Sequence, residues 1–524
     1  MKDSLAISQK LSPRKYALLA GTLLLTSTGL ITRVLGFFYR IFLSRTIGAE
    51  GMGIYSMVYP VFGVCISLCA TSIQTAISQS VAANVRKGRS IFRTGLFISV
   101  SISLVLAYGI YTFKDFLASS VLMEPRCASL LIFIAVAVPC TAVHACINGY
   151  YYGMQRAKVP AFAQVVEQTA RIGAVFLIAD IMMESGIEIT VQLAAFGHLI
   201  GEAISSLFTI AAYQFFPPKA HDLTVVQEVA PRGLSAITAS FTSTAPVLMT
   251  LALPLMGNRL VLNVLGSIEA IWIPNRLQLS GLSDSMAFSL YGVLTGMALP
   301  FIHFPSTIFH SMAVLLLPTV AEAQSDGNEG RISNTISTTL RYCMYIGVLC
   351  IGIFTLFGNE LGVSVFRDKN AGTYITILAW LCPFIYLVTT MGSILNGLGK
   401  TSVTFGHNVV ATLVRLGFVF FGIPRFGIMA YLIGMLISEL LLAFMHVMAL
   451  RKRVDFTWSA WDMIVKPAVL MILSIGIYYA ILSVWDPFDG LHLFIGTAIH
   501  IMILCVCYLA LLAFCHVVRG EKEE

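Results

Sequence analysis

The chain has 524 residues, of which 57% are hydrophobic and only 11% are charged. A soluble globular protein carries about 25% charged residues, so this composition excludes an ordinary soluble domain. The formal net charge of +7 comes from lysines and arginines that are concentrated in alternate polar breaks between apolar runs. We therefore attribute the charge to membrane topology and expect no nucleic-acid partner.

Apolar runs of roughly 20 residues recur along the whole chain and predict an all-α integral membrane protein with about fourteen membrane-spanning helices. The basic residues between the runs place both termini in the cytoplasm of a bacterial cell by the positive-inside rule. The first apolar run is too long for a signal peptide, so we expect it to remain as the first span. The predicted spans are 16–44, 53–83, 91–113, 128–148, 160–183, 189–216, 233–274, 284–320, 332–357, 371–396, 402–421, 426–450, 462–484 and 490–518.

Short motifs of the first half recur in the second half at an offset of roughly 240 residues, which suits a duplicated bundle of six helices. The matched motifs are Val81-Ala82 with Val320-Ala321, Ile147-Asn148-Gly149 with Leu395-Asn396-Gly397, Arg171-Ile172-Gly173 with Arg415-Leu416-Gly417, and Leu199-Ile200-Gly201 with Leu432-Ile433-Gly434. An even number of helices in each half predicts two six-helix lobes related by a pseudo-two-fold axis along the membrane normal. The predicted segments are an N-lobe at 1–216, a cytoplasmic linker at 217–232, a C-lobe at 233–455 and a C-terminal helix pair at 456–524.

The first span carries Arg33, Phe37 and Arg40 on one helical face, because residues spaced by three and four point the same way. One interpretation is a cationic wall for a phosphate group, since the guanidinium fork matches phosphate oxygens and stays charged. The alternative is that these arginines extend toward the lipid headgroups. Arg33 lies deep in the span, which favours the first interpretation for that residue.

Three further arginines lie inside predicted spans. Arg171 follows Glu167 by four residues and can pair with it on one helical face. Arg415 matches Arg171 across the predicted duplication but has no acid at that spacing, so a cavity role and a lobe-to-lobe role both stay open. Arg259 lies in the long seventh span, which also contains Pro246 and Pro254, and interrupted helices at membrane depth tend to line cavities.

Glu202 in the sixth span and Glu439 in the twelfth are single acids in apolar sequence. Each could bind a coupling cation, accept a proton or pair with an arginine, because buried ionisable groups in membranes are usually functional or paired. His303 and His310 in the eighth span are seven residues apart on one predicted face, close to Pro300. A proton relay and simple hydrogen-bonded packing are the two interpretations of these histidines.

Other classes of site have no pattern in the sequence. Most of the eleven cysteines fall inside spans, where small apolar packing is their usual role. Cysteine and histidine show no metal-ligand spacing, so we expect no metal site. A phosphate-binding loop ending in Gly-Lys-Ser/Thr is also missing. We therefore expect no cofactor and no enzymatic activity.

Two stretches carry a family resemblance. Residues 32–37 (TRVLGF) with 45–49 (RTIGA) resemble the start of flippases in the multidrug/oligosaccharidyl-lipid/polysaccharide superfamily. Residues 292–300 (GVLTGMALP) with 317–323 (LPTVAEA) resemble its stage V sporulation protein B branch, which is related to lipid II flippases. The resemblance implies two lobes that rock around a cationic cavity, first-span arginines at the substrate pyrophosphate, and two extra helices beside the lipid tail. Arg33 matches the first of those arginines, whereas Tyr39 and Arg40 stand where the family usually has arginine followed by aspartate.

The sequence thus predicts a flippase for a polyprenyl-diphosphate-linked sugar of the cell wall, with a role in the spore cortex implied by the resemblance. The alternatives are a cation-coupled multidrug exporter of the same superfamily and a membrane enzyme or scaffold of cell-wall synthesis. We expect a monomer in the lipid bilayer, with cell-wall synthesis proteins as partners. The predicted head-group ligands are Arg33, Arg40, Arg259 and Arg415, and the predicted coupling or gating residues are Glu167, Arg171, Glu202, His303 and Glu439.

Overall fold

The computed structural model describes residues 13–218, 234–484 and 493–520. Within these ranges the chain forms helices and turns and no strand, so the predicted all-α fold is confirmed. The long helices are α1 Pro13–Ser56, α2 Tyr59–Ala83, α3 Gly88–Thr112, α4 Cys127–Gly153, α5 Lys158–Glu184, α6 Gln192–Phe215, α7 Leu234–Leu279, α8 Asp284–His303, α9 Ser306–Ser325, α10 Glu329–Phe366, α11 Lys369–Gly397, α12 Thr401–Phe426, α13 Ile428–Arg451, α14 Trp461–Ser483 and α15 Leu493–Gly520.

Each predicted span coincides with a helix, except that the predicted eighth span is divided into α8 and α9. Pro305 lies in the break between them, and proline has no N–H with which to continue the helical hydrogen bonds. Among the described residues, 13 helices are long and apolar enough to cross a membrane by length and composition. Helices α1 and α5 are outside that set. The predicted number of about fourteen is close to these 13.

Side-chain caps at helix starts and a glycine after a helix end mark several helix boundaries. Ser283 accepts a hydrogen bond from the N–H of Met286 at the start of α8, and Asp368 caps α11 through the N–H of Ala371 at 3.0 Å. These caps satisfy backbone donors that the first helical turn leaves free. Gly399 has a φ of 71° in the turn after α11, a left-handed conformation that glycine adopts without a steric penalty.

The chain divides into two compact units. The first unit contains Met1–Tyr39 and Ile54–Asn275, and the second contains Arg40–Gly53 and Arg276–Glu524. Residues 234–275, which the sequence assigns to the C-lobe, therefore group with the first unit. Most of the predicted linker at 217–232 lies outside the described residues, and the duplication with its lobe boundaries stays a prediction.

The first unit has a core to which α2, α3, α4 and α7 contribute. Phe92 stacks on Tyr150 with ring centroids 5.0 Å apart. A Cβ on Gly95 would lie 2.6 Å from Ile77 and 3.2 Å from Leu248, so only glycine lets these helices come this close. Because lipid tails are as apolar as this core, close packing rather than removal of surface from water stabilises such contacts.

The second unit holds the outer part of α1 against α8. Arg40 Nη1 donates to the carbonyl oxygen of Thr295 at 3.2 Å, inside a π-helical turn at Val293–Ala298. A Cβ on Gly292 would overlap the carbonyl oxygen of Ala49, so the two backbones are in direct contact. The segment Arg40–Gly53 thus belongs to the second unit, although the helix that contains it begins in the first.

Candidate functional site

A group of ionisable side chains lies inside the first unit, where α4, α5 and α6 pack together. Glu202 of α6 is buried at its centre. Thr141 Oγ1 lies 2.7 Å from Oε2 of Glu202, and His144 Nε2 lies 2.8 Å from the same oxygen. Because an ionised carboxylate only accepts hydrogen bonds, Thr141 and His144 act as donors when Glu202 is charged.

Arg171 of α5 faces the other oxygen of Glu202. Its Nη2 donates to Oε1 of Glu167 at 2.7 Å and lies 3.7 Å from Oε1 of Glu202. His198, one helical turn before Glu202, has its Nε2 4.0 Å from the same Oε1. We call His144, Glu167, Arg171, His198 and Glu202 the α4–α6 cluster.

Small residues on α6 allow the cluster to form. A Cβ on Gly201 would lie 3.1 Å from Nε of Arg171 and 3.1 Å from the carbonyl oxygen of Glu167. A Cβ on Gly197, one turn earlier, would overlap the side chain of Val175. Glycines spaced by four residues let two membrane helices approach closely, and here they bring the acids of α5 and α6 to one guanidinium.

The charges of the α4–α6 cluster do not balance when both histidines are neutral, because two carboxylates then face one guanidinium. An uncompensated charge in a low-dielectric interior costs several kcal/mol. His144, Glu167 and Glu202 offer nitrogen and oxygen atoms that all lie within 4.8 Å of one another, close enough to share a positive ion. The arrangement can therefore take up one further positive charge.

The second unit has a smaller ionic group. Arg415 Nη1 of α12 lies 3.7 Å from Oε1 of Glu439 on α13, and both side chains are half-buried. The charges of this pair balance, unlike those of the α4–α6 cluster. His407 and His446, from the same two helices, have ring centroids 5.2 Å apart.

The predicted head-group arginines divide between the two units. Arg33 and Arg259 belong to the first, where Arg33 is exposed and Arg259 is half-buried with Nη2 3.2 Å from Oγ1 of Thr75. Arg40 and Arg415 belong to the second. The structure brings the predicted coupling residues Glu167, Arg171 and Glu202 into one cluster. It pairs Arg415 with Glu439. The diphosphate-binding role of the four arginines stays a prediction.

The two histidines of the predicted eighth span lie on separate helices. His303 is the last residue of α8 and is exposed, whereas His310 is in the second turn of α9. The interruption at Pro305 separates them. The predicted shared face assumed one continuous helix and therefore does not apply to these two residues. The predicted role of His303 stays a prediction.

A polar stripe along α7 continues from Arg259 and was not expected from the sequence. Asn263 Nδ2 donates to Ser67 Oγ of α2 at 2.6 Å. Ser267 Oγ lies 2.6 Å from the carbonyl oxygen of Asn263 and 3.3 Å from that of Pro60. The three α7 residues are spaced by four and so share one face. Their spacing in an apolar span is a signal that sequence inspection can detect.

Sequence reasoning also missed His144 and Thr141. His144 is separated from Glu202 by 58 residues, so no helical periodicity links the two. The spacing of Thr141, His144 and Asn148 puts three polar side chains on one face of a strongly apolar span. That pattern marks α4 as a helix with a polar interior face but does not identify the partner.

The sequence profile described as polysaccharide biosynthesis protein matches residues 18–324, more than half of the chain. The chain belongs to the polysaccharide biosynthesis protein family. Stage V sporulation protein B of Bacillus subtilis (strain 168) is 26% identical to this family member over 468 residues, which cover 87% of this chain and 88% of that protein. The family resemblance predicted from the sequence motifs is confirmed.

Solved structures of transporters share the fold of this family member. The lipid II flippase MurJ in an inward closed conformation superposes with a TM-score of 0.69 at 12% identity, covering 96% of this chain and 100% of the flippase. A multidrug resistance MATE family transporter of the MOP superfamily, in an inward-facing conformation, has a TM-score of 0.63 at 15% identity and covers 82% of this chain and 98% of the transporter. At these identities the likeness shows a common fold.

Proposed function

We propose that this protein flips a polyprenyl-diphosphate-linked sugar, a unit of peptidoglycan or another cell-wall polysaccharide, from the cytoplasmic to the outer leaflet by alternating access. The observation that carries the proposal is the fold, which over 96% of the chain matches the structure of a lipid II flippase. Membership of the polysaccharide biosynthesis protein family supports the same substrate class. The similarity to stage V sporulation protein B supports a role in sporulation.

Arg33 is the side chain that we assign first to the diphosphate. It is exposed in the middle of α1, and a charged group at that depth is costly unless it faces water or an anionic ligand. A guanidinium keeps its charge and can bind two phosphate oxygens at once. Arg259 is the second candidate, since its hydrogen bond to Thr75 fixes one of its nitrogens and leaves others to a ligand. Arg40 and Arg415 complete the proposed set.

A cation-coupled exporter of the multidrug type is the second candidate function. The fold is shared with a multidrug resistance transporter, and the two acids of the α4–α6 cluster are the residue type that cation coupling requires. The two candidates differ in substrate charge, because an exporter of organic cations has no use for exposed arginines at membrane depth. Arg33 therefore favours the flippase.

The remaining alternatives, a membrane enzyme and a scaffold of cell-wall synthesis, differ from a flippase in what happens to the glycan. An enzyme changes its covalent structure, a scaffold leaves it in place, and a flippase moves it unchanged. We propose a monomer without catalytic activity, with both termini in the cytoplasm and with an ion gradient or the membrane potential as energy source. The potential supplies about 2.3 kcal/mol per charge per 100 mV.

The test is translocation of a fluorescent undecaprenyl-diphosphate sugar in proteoliposomes, read as loss of fluorescence to an external quencher. We expect the wild-type protein to move the lipid and Arg33→Ala to slow it roughly 10-fold or more, because a hydrogen bond to a charged group is worth about 1.5–3 kcal/mol. Arg93→Ala is the matched control, since Arg93 is exposed at the predicted cytoplasmic start of α3. Equal rates for Arg33→Ala and Arg93→Ala would refute the assigned contact, and transport of organic cations instead of the lipid would favour the exporter.

A further inference from the structure

The α4–α6 cluster differs from the ion pair of the second unit in its charge. Arg415 and Glu439 neutralise each other, whereas Glu167 and Glu202 share only Arg171. In a buried site that lies between membrane helices, one unbalanced negative charge attracts a single positive ion. The α4–α6 cluster of the first unit therefore has the electrostatic requirement for an ion-binding site.

The hydrogen bonds within the cluster indicate which atom can bind the positive ion. Oε2 of Glu202 accepts hydrogen bonds from Thr141 and from Nε2 of His144, so Nε2 of His144 already carries a hydrogen when Glu202 is ionised. The other ring nitrogen, Nδ1, is buried and has no hydrogen-bond partner in the described part of the chain. Its lone pair is an open acceptor beside the unbalanced charge, and the two ring nitrogens of His198 are likewise buried without a hydrogen-bond partner among the described residues.

We propose that the α4–α6 cluster is a proton-binding site, in which one proton binds at Nδ1 of His144 and makes the cluster neutral. The imidazolium ion then pairs through Nε2 with Glu202, while Arg171 stays paired with Glu167. Binding and release of this proton drive the transport cycle; this last step rests on the proposed function, whereas the proton site itself does not.

The geometry favours a proton over a metal ion. A metal ion shared by Glu167 and Glu202 would lie close to the guanidinium of Arg171, which is 2.7 Å from one carboxylate and 3.7 Å from the other. It would also displace a hydrogen bond to Oε2 of Glu202, which accepts from Thr141 and His144. A proton on His144 strengthens the existing contact between Nε2 and Glu202 and displaces none of the hydrogen bonds to that carboxylate.

The groups around His144 and Glu202 favour the binding of a single proton to the cluster. His198 stays neutral in this scheme for two reasons. Its ring packs edge-on against Phe62 at 4.7 Å and against Tyr59 at 6.0 Å. A second proton would also leave the cluster with an excess positive charge. Among the described residues, the ionisable groups around the cluster include Tyr39 of α1, Tyr55 and Tyr59 of α2, Cys140 of α4, Glu167 and Arg171 of α5, and His198 of α6.

The site is tested without any substrate by infrared difference spectroscopy of the purified full-length protein, titrated with acid. We expect a histidine signal that disappears in His144→Gln and moves to a different pH in Glu202→Gln. His500→Gln is the control, because His500 is a half-buried histidine of the second unit and outside the cluster. If His144→Gln removed no part of the wild-type histidine signal, the proposal would be overturned. A shift of the same signal by Na⁺, Mg²⁺ or Zn²⁺ at constant pH would also overturn it and would assign the cluster to a metal ion.

The coupling step is tested in the proteoliposomes that carry the lipid-linked sugar, with an imposed pH difference of one unit. One coupled proton per cycle supports an accumulation of about tenfold for this gradient. We expect accumulation in the wild type and in His500→Gln, and equal distribution between the leaflets in His144→Gln. Flipping without accumulation in the wild type would overturn coupling by this proton. A protein that moves no lipid, yet loses its histidine signal in His144→Gln, would keep the proton site and refute the proposed function.

Discussion

His446 of α13 is a buried histidine of a different kind from His144. Neither of its ring nitrogens has a hydrogen-bond partner among the described residues, and its neighbours are the ring of His407 at 5.2 Å and the backbone at Gly392. A buried polar atom without a partner costs about 1–3 kcal/mol. His144, in contrast, donates to Glu202 and takes part in a network.

The two histidines therefore predict opposite effects of the same substitution. His446→Leu removes unsatisfied nitrogens and keeps an apolar side chain of similar size, so we expect an unchanged or higher melting temperature. His144→Leu removes a donor from buried Glu202 and should destabilise the protein by about 1–3 kcal/mol. Thermal unfolding of the purified variants in one detergent measures both. An equal loss of stability in the two variants would mean that His446 holds a partner of its own.

Single residues were predictable from the sequence where charge interrupts an apolar span. Glu167, Arg171 and Glu202 could be selected in this way, and the first two form the ion pair that their spacing indicates. The role of His144 was not predictable, because a neutral ring is not unusual in an apolar helix and its partner is distant in sequence. Contacts between helices decide such roles.

The contact between α1 and α8 shows how a few glycines determine the approach of two elements. A Cβ on Gly292 would overlap the carbonyl oxygen of Ala49, and a Cβ on Gly53 would overlap that of Phe288. The sequence predicts both helices, since each is a long apolar run. It does not reveal their contact, because a glycine in a membrane helix has the same local pattern whether it faces lipid or another backbone.

A matched pair of glycine substitutions tests this contact. Gly292→Ala should destabilise the protein by about 1–3 kcal/mol or more, because the added methyl group meets backbone that cannot move aside. Gly266→Ala in α7 is the control, since a Cβ there meets nothing within 4 Å, and alanine in a helix is favoured over glycine by about 0.5–1 kcal/mol. Melting temperatures of the two variants in detergent give the comparison. Equal stability of Gly292→Ala and the wild type would show that the helices are further apart.

At the scale of the whole molecule, the sequence predicted what depends on local composition and missed what depends on distant contacts. The all-α membrane fold and the positions of the spans follow from hydropathy alone. The division into units does not, because Arg40–Gly53 joins the second unit through contacts with residues such as Thr295 that are 255 positions away. The cluster that we propose to bind a proton likewise combines three helices, each of which is unremarkable by itself.

The predicted orientation of the chain can be tested at two turns that are expected on opposite sides of the membrane. Gly186 follows α5 and Gly327 follows α9, and both have a positive φ, 68° and 65°, in short turns that tolerate an inserted epitope tag. The distribution of lysine and arginine predicts that the first turn is outside the cell and the second is in the cytoplasm. In intact spheroplasts we expect protease to remove a tag inserted at Gly186 and to spare one at Gly327, until the membrane is permeabilised. The reverse pattern would invert the topology, and the cytoplasmic entry of the substrate would then have to be assigned to the opposite side of the protein.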